Sequence, residues 1–283
     1  MKVLIIGSTG WIGSQCKQLL QNIDCEIVES KCRIDNYGSI GPELDLVNPT
    51  HVLCTCGKTG RPNIDWCEKN KIETLETNTI GTTVLASECA RRGIHLTYVG
   101  TGCIYEYNAE HPLGGKGFTE EEKPNFDKSY YSYGKIITSQ ILQEYDNVLE
   151  LRIRMPISTD LHSRSFVTKI TKYEKVVNIP NSMTILEDLL PLIPDMMEKK
   201  KTGIYNFCNP GVISHNEILD LYKEYVNPDF KYTNFTLEEQ AKVIVAPRSN
   251  NCLDVSKLLK EYPEIPGIKE GMRRVFEKMR EKL

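Results

Sequence analysis

Met1 to Ser14 reads MKVLIIGSTGWIGS. Lys2 to Ile6 is a short apolar run rich in Val and Ile, the pattern of a strand buried on both faces. Gly7, Gly10 and Gly13 follow at three-residue spacing, and a helical pattern carrying Trp11, Ile12, Leu19 and Leu20 comes next. Glycine lets a chain curl tightly and approach a ligand, because no Cβ intervenes. The helix that opens here aims its first N–H groups and its positive dipole end over the turn. The pyrophosphate of a dinucleotide fits that end, cradled by Gly7, Ser8, Thr9, Gly10, Trp11, Ile12 and Gly13. The spacing is GxxGxxG rather than the commoner GxGxxG. Its weight therefore comes from the strand before it and the helix after it.

Outward from this turn, strands are expected over Cys25–Glu29, His51–Thr55, Ile94–Val99 and Val148–Met155. Helices are expected over Tyr37–Val47, Ile72–Arg92 and Tyr130–Tyr145. Such alternation predicts a Rossmann-type, doubly wound parallel sheet with helices on both faces, over residues 1–157. After Pro156 the regularity weakens. Residues 158–283 read as a smaller, mostly helical substrate-binding lobe, with the chain free to cross between the two. Ser214…Glu217 and Thr236…Glu239 are capping-box patterns, each opening a helix. Lys269 to Leu283 reads as a solvated helix.

Composition excludes several classes. The 283 residues are 40% hydrophobic and 26% charged, with a net charge of −3, so nothing draws the chain to nucleic acid or an anionic membrane. No apolar run approaches the roughly 18 residues of a membrane span. Met1 leads straight into a strand, so no leader is expected. The ten cysteines are scattered, and Cys54-Thr-Cys56 is a poor chelate. No metal is expected, and reduced thiols in the cytoplasm are the simplest reading.

Tyr131 and Lys135 stand four apart on one helix face, and Tyr131 is the one tyrosine of 14 with a lysine at that distance. An ammonium near a phenol makes it a usable proton donor or acceptor. With the glycine turn, this pair resembles the extended short-chain dehydrogenase/reductase family. The resemblance implies a triad completed by Thr101, in Gly100-Thr-Gly-Cys103. Tyr131 would exchange a proton with the substrate oxygen, and Thr101 would hydrogen-bond the carbonyl. Lys135 would lower the phenol's pKa and hold the nicotinamide ribose.

Longer segments narrow the likeness: Thr59-Gly-Arg-Pro-Asn-Ile-Asp-Trp-Cys67, Thr101-Gly-Cys-Ile-Tyr105, Arg154-Met-Pro-Ile-Ser158 and Val245-Ala-Pro-Arg-Ser-Asn-Asn251. With Lys169–Lys175 and Val177–Thr184, they resemble the nucleotide-rhamnose synthase 3,5-epimerase/4-reductases. That resemblance implies a UDP- or dTDP-linked 4-keto-6-deoxy-glucose as substrate. Inversion at carbons 3 and 5 needs one group to take a proton and another to return it. Cys103 is the first candidate. Lys169 is the family-matched second and His162 the runner-up, since Phe166 stands where related fucose enzymes carry a histidine.

For the cofactor, Glu29 favours NAD through a ribose 2′-hydroxyl, whereas Ser30, Lys31 and Arg33 favour a 2′-phosphate. NADPH is preferred, with NADH tolerated. Cys56 and Gly57 are expected under the adenosine, and Pro156 and Ile157 near the nicotinamide. Arg61, Asn63, Asp65 and Trp66, with Asn178 and Arg248, are the substrate-binding candidates. Two alternatives remain: a plain 4-reductase, against which Cys103 speaks, and a dinucleotide-sensing binding protein, against which the triad speaks. Relatives of this kind imply a homodimer.

Overall fold

A computed structural model describes residues 1–282. Its strands are β1 (Lys2–Ile6), β2 (Glu26–Glu29), β3 (His51–Cys54), β4 (His95–Thr101), β5 (Val148–Ile153), β6 (Lys175–Val176), β7 (Gly203–Asn206) and β8 (Thr233–Asn234). Six of them form one sheet in the order β2-β1-β3-β4-β5-β7, with β1 parallel to β2 and β3, and β3 parallel to β4. The first helices are α1 (Trp11–Leu20), α2 (Tyr37–Val47), α3 (Asp65–Lys69), α4 (Lys71–Leu75), α5 (Gly81–Arg91), α6 (Tyr130–Leu142) and α7 (Phe166–Ile170). The doubly wound sheet expected from the alternation is what forms.

The chain divides into two compact units. One holds Met1–Ile104, Phe126–Arg152 and Leu190–Tyr205, and the other holds Tyr105–Asn125, Ile153–Leu189 and Asn206–Leu283. A single cut after residue 157 therefore does not separate them. In the first unit β1, β3, β4 and β5 bury nearly all their side chains while the edge strand β2 stays half-buried or exposed, and Leu4, Val52, Leu96 and Tyr98 pack with Leu44, Leu85 and Leu142 from the helices. In the second unit Ile157, Val167, Ile185, Ile213 and Ile218 form a separate core with Met272 and Phe276.

Three expectations need correcting. The stretch Ile72–Arg92 is not one α-helix, because Glu76–Ile80 makes a π turn between α4 and α5. Thr138 donates a hydrogen bond to the Asn78 carbonyl at 2.9 Å, and Gly81 lies so close to Ile34 that a Cβ would stand 2.2 Å from its oxygen. Such side-chain intrusion and tight packing are ordinary causes of a widened turn. The strand expected to end at Val99 continues through Thr101. Finally, the C-terminal helix Ile268–Arg280 is no solvated rod: Ile268, Met272, Val275, Phe276 and Met279 are buried along one stripe. Leu283, the last residue of that expected helix, lies outside the described residues.

Both capping boxes form as read. The Ser214 and Thr236 side chains accept from the Glu217 and Glu239 amides, and each glutamate reaches back to the cap amide.

Candidate active site

The opening turn is built by steric exclusion. Gly7 has φ +93°, and a Cβ there would lie 2.8 Å from Thr55 Oγ1. A Cβ on Gly13 would lie 2.1 Å from the Gly7 carbonyl oxygen, so only glycine lets α1 pack down on the turn. Gly10 caps α1 with no side-chain acceptor, and no acid lies in the first turn. The positive dipole end of α1 therefore meets no carboxylate of its own helix and favours an anion over the turn. That end suits the pyrophosphate of a nicotinamide dinucleotide.

At the end of β2, the Glu29 carboxylate is held by Lys17 Nζ at 2.5 Å and hydrogen-bonded by Ser8. The Ser30 hydroxyl and the Lys31 amide both donate to Glu43, at 2.5 and 2.7 Å. Arg33 forks onto Asp35 at 2.9 and 2.6 Å and stays exposed. The acid read as a ribose ligand and the base read as a phosphate ligand are therefore both already ion-paired.

Past β3, Cys56 and Gly57 lead into a loop clamped by Asn78. Its side chain accepts from the Lys58 amide at 2.7 Å and donates to the Lys58 carbonyl at 2.8 Å. A Cβ on Gly57 would stand 3.6 Å from both Asn78 Oδ1 and Lys135 Nζ, so this loop passes close by the lysine head. Arg61 is exposed, and Asn63 Oδ1 accepts from the Asp65 amide at 2.8 Å, starting α3.

The catalytic candidates of the first unit converge where β4 ends and α6 begins. Thr101 Oγ1 accepts from the Cys103 amide at 3.1 Å and is hydrogen-bonded to Tyr131. Ser129 caps α6, accepting from the Ser132 amide at 3.1 Å, and Ser132 Oγ donates to the Cys103 carbonyl at 2.6 Å. That bond ties Cys103 to the turn carrying Tyr131. The Tyr131 phenol is buried, and burial drives its pKa well up. The Cys103 sulfur adds to the rise, while the Thr101 hydrogen bond opposes it.

Lys135 is 5% exposed. Burial lowers its pKa to about 8, opposed by Cys54, Glu150, Cys56 and Cys67. Its Nζ stands 5.9 Å from the centre of the Tyr131 ring and donates to the Tyr98 hydroxyl at 2.5 Å. The implied lowering of the Tyr131 pKa by Lys135 is not what this arrangement produces: burial of the phenol dominates.

The other candidates belong to the second unit. Lys169 is half-buried in α7, and burial lowers its pKa, with Arg164 adding to the effect. His162 Nδ1 accepts from the Arg164 amide at 3.1 Å. The Pro156 carbonyl accepts from the Phe166 amide at 2.9 Å, and the buried Ile157 donates to the Thr184 carbonyl at 2.8 Å. Asn178 is exposed. Arg248 is half-buried and donates to the Ala246 carbonyl at 2.5 Å. Next to it, Ser249 is anchored by the fully buried Arg154, whose guanidinium donates to the Ser249 hydroxyl at 3.1 Å and its carbonyl at 2.7 Å.

Sequence reading missed Tyr98, Asn78 and Ser132. Only Ser132 carried a local signal, being three residues past a serine that opens a helix. Tyr98 looked like one more core aromatic of a buried strand.

The sheet, the glycine turn and the grouping of Thr101, Tyr131 and Lys135 define an extended short-chain dehydrogenase/reductase. The chain belongs to the NAD dependent epimerase/dehydratase family, whose pattern matches residues 3–175. It is 53% identical over 277 residues to a bifunctional dTDP-4-dehydrorhamnose 3,5-epimerase/dTDP-4-dehydrorhamnose reductase of Arabidopsis thaliana, covering 97% of this chain and 92% of that one. It is 52% identical over 274 residues to a trifunctional UDP-glucose 4,6-dehydratase/UDP-4-keto-6-deoxy-D-glucose 3,5-epimerase/UDP-4-keto-L-rhamnose-reductase of the same plant. That match covers 96% of this chain and spans 41% of the relative's length. Among solved structures, the L780 UDP-rhamnose synthase of Acanthamoeba polyphaga mimivirus superposes with a TM-score of 0.94 at 41% identity, covering 99% of each chain.

Proposed function

We propose that this chain is a bifunctional 3,5-epimerase/4-reductase that turns a UDP-linked 4-keto-6-deoxy-D-glucose into the corresponding L-rhamnose with NADPH. The observation that carries the proposal is that Thr101 joins the Cys103 amide to the Tyr131 phenol, with the Cys103 sulfur close enough to that phenol to act on its charge. A plain reductase needs no acid/base sulfur there.

The protons on carbons 3 and 5 are acidic because both positions flank the carbon 4 ketone. Thr101 and Tyr131 are the donors that stabilise negative charge as it develops on the ketone oxygen. Cys103 takes or returns one of the two protons exchanged at each inverted carbon. Lys169 is the proposed second group, its ammonium already weakened by burial, with His162 as the alternative. NADPH held over the glycine turn would supply a hydride for carbon 4, and Tyr131 is placed to donate the proton that the ketone oxygen takes up. Lys135 holds the ribose through its N–H donors. Arg61, Asn63, Asn178 and Arg248 are proposed to hold the nucleotide sugar.

NADPH is preferred because two cations, Lys31 and Arg33, follow the single carboxylate of Glu29, and a 2′-phosphate would draw Arg33 from Asp35 by its larger charge. UDP is preferred over dTDP because the L780 relative and the trifunctional plant protein carry UDP in their names. Ten free thiols suit a reducing compartment, in keeping with a cytoplasmic enzyme. Exposed Tyr133 and Ile141 on α6, with exposed Ile80 on the π turn, are the apolar side chains proposed to meet a second copy.

The test is incubation of UDP-4-keto-6-deoxy-glucose with the protein in D2O, without NADPH. Deuterium is expected at carbons 3 and 5. Unlabelled sugar would sink the epimerase half. Adding NADPH or NADH, with the UDP or dTDP substrate in parallel, then gives the reductase rates and both preferences.

A further inference from the structure

A buried ammonium has three N–H donors to place. Lys135 enters a space bounded by several titratable groups. Cys54 comes from β3 and Cys56 from just beyond it, Cys67 from α3 and Glu150 from β5. Tyr98 comes from β4, and Tyr131 stands on the lysine's own helix. Among the described residues the hydrogen bond of Nζ goes to the Tyr98 hydroxyl, at 2.5 Å, with Nζ 5.0 Å from that ring's centre. Tyr98 is 1% exposed. Burial, with the Glu150 charge next, keeps its phenol protonated, so the oxygen meets the ammonium through its lone pairs. Glu150 is held by the Ser139 hydroxyl at 2.7 Å and faces Arg152 Nε at 3.9 Å. Gly100 makes room for it, since a Cβ there would lie 2.6 Å from Glu150 Oε1.

We propose that Tyr98 is a positioning residue for the reductase reaction: its phenol oxygen accepts one N–H of Lys135 and fixes the ammonium, leaving the other two for the cofactor's ribose hydroxyls. The proposal rests on the reading of Lys135 given above. A hydrogen bond to a charged group favours the charged form. Removing the hydroxyl therefore loosens the ammonium and lets it lose its proton at lower pH. The thiols of Cys56 and Cys67 stay neutral because burial raises them, so the Glu150 carboxylate is the facing charge that opposes that loss and limits the shift.

Tyr98→Phe keeps the ring and removes the acceptor. The alkaline limb of kcat/KM for reduction is expected to move down by about one pH unit. The NADPH dissociation constant, read by cofactor fluorescence near pH 8, is expected to rise about tenfold. Lys135→Met separates the two levels of the argument. Full reduction and NADPH affinity in that variant would overturn the role of Lys135, and Tyr98 with it. Loss in Lys135→Met, with limb and affinity unmoved in Tyr98→Phe, overturns Tyr98 alone. A lower melting temperature with an unmoved limb has the same meaning, because packing alone does not shift a titration. One measurement needs no variant: in protein labelled with 13Cζ-tyrosine and 13Cε-lysine, the Tyr98 carbon should shift with the same midpoint as Lys135. A flat Tyr98 signal across that titration overturns the proposal.

Discussion

At the scale of single residues, the proposed function requires that the two reactions come apart. Cys103→Ala should lower deuterium wash-in at carbons 3 and 5 by about 10²–10⁴-fold, the range of a lost acid/base group. It should reduce an already epimerised 4-keto-L-sugar within a few-fold of the parent. Tyr131→Phe should do the reverse, cutting NADPH oxidation by a similar factor while exchange persists at a reduced rate. Equal loss of both activities in each variant would mean that the roles are misassigned. Tyr131 and Lys135 stand out in the chain as a four-residue spacing on one helix face, whereas Thr101 and Cys103 are candidates through the family resemblance. What could not be named was the partner of Lys135, whose four methylenes let Nζ choose among groups from several elements. It lies on Tyr98, 37 positions away in sequence.

At the scale of elements, the glycine turn and the helix caps are local devices and were legible as such. Gly13→Ala places a methyl against the Gly7 carbonyl at 2.1 Å. It should cost about 1–3 kcal/mol of stability through overpacking and weaken NADPH binding about tenfold or more, read by urea unfolding and fluorescence titration. Ser214→Ala removes a cap that accepts from Glu217 at 3.2 Å and should cost about 1 kcal/mol. Thr236→Ala, on a short exposed helix, should cost less. The C-terminal helix was misjudged because its charges dominate the composition. Lys269, Glu270, Arg273, Arg274, Glu277 and Lys278 all avoid the stripe from Ile268 to Met279 that is buried. The π turn had no sequence cue, since Thr138 and Ile34, which shape it, come from distant segments.

At the scale of the whole molecule, burial leaves a pH signature. Burial lowers the pKa of His51 to about 4, and the neighbouring His95 adds to the shift. Burial also lowers that of His95, and that of His215 to about 4, with Arg154 contributing. The unfolded chain, with His near 6.5, binds protons that the folded chain refuses. The stability these groups share is thus fully present above about pH 6.5 and is lost as pH falls toward 4. Unfolding free energies measured between pH 7 and 4.5 should drop by roughly 1–3 kcal/mol each for His51 and His215, with His95 adding in the same direction. His51→Gln should flatten the slope, and an unchanged slope would contradict the assignment. The proposed homodimer is checked by sedimentation: Tyr133→Glu with Ile141→Glu should yield monomers, and a parent already monomeric removes that part of the proposal.

The amino-acid order alone determined the first five strands, the glycine turn, the capping boxes and the helix bearing Tyr131 and Lys135, but not the edge strand β7. These follow from sterics and periodicity among near neighbours. Tertiary structure decided the Asn78 clamp on Lys58, the Ser132 bond to Cys103 and the seat of Lys135 on Tyr98, spanning 20, 29 and 37 positions. It also decided the return of Leu190–Tyr205 to the first unit. Contacts of that span exist only once the sheet has drawn distant segments together, and no local pattern encodes which side chains will then meet.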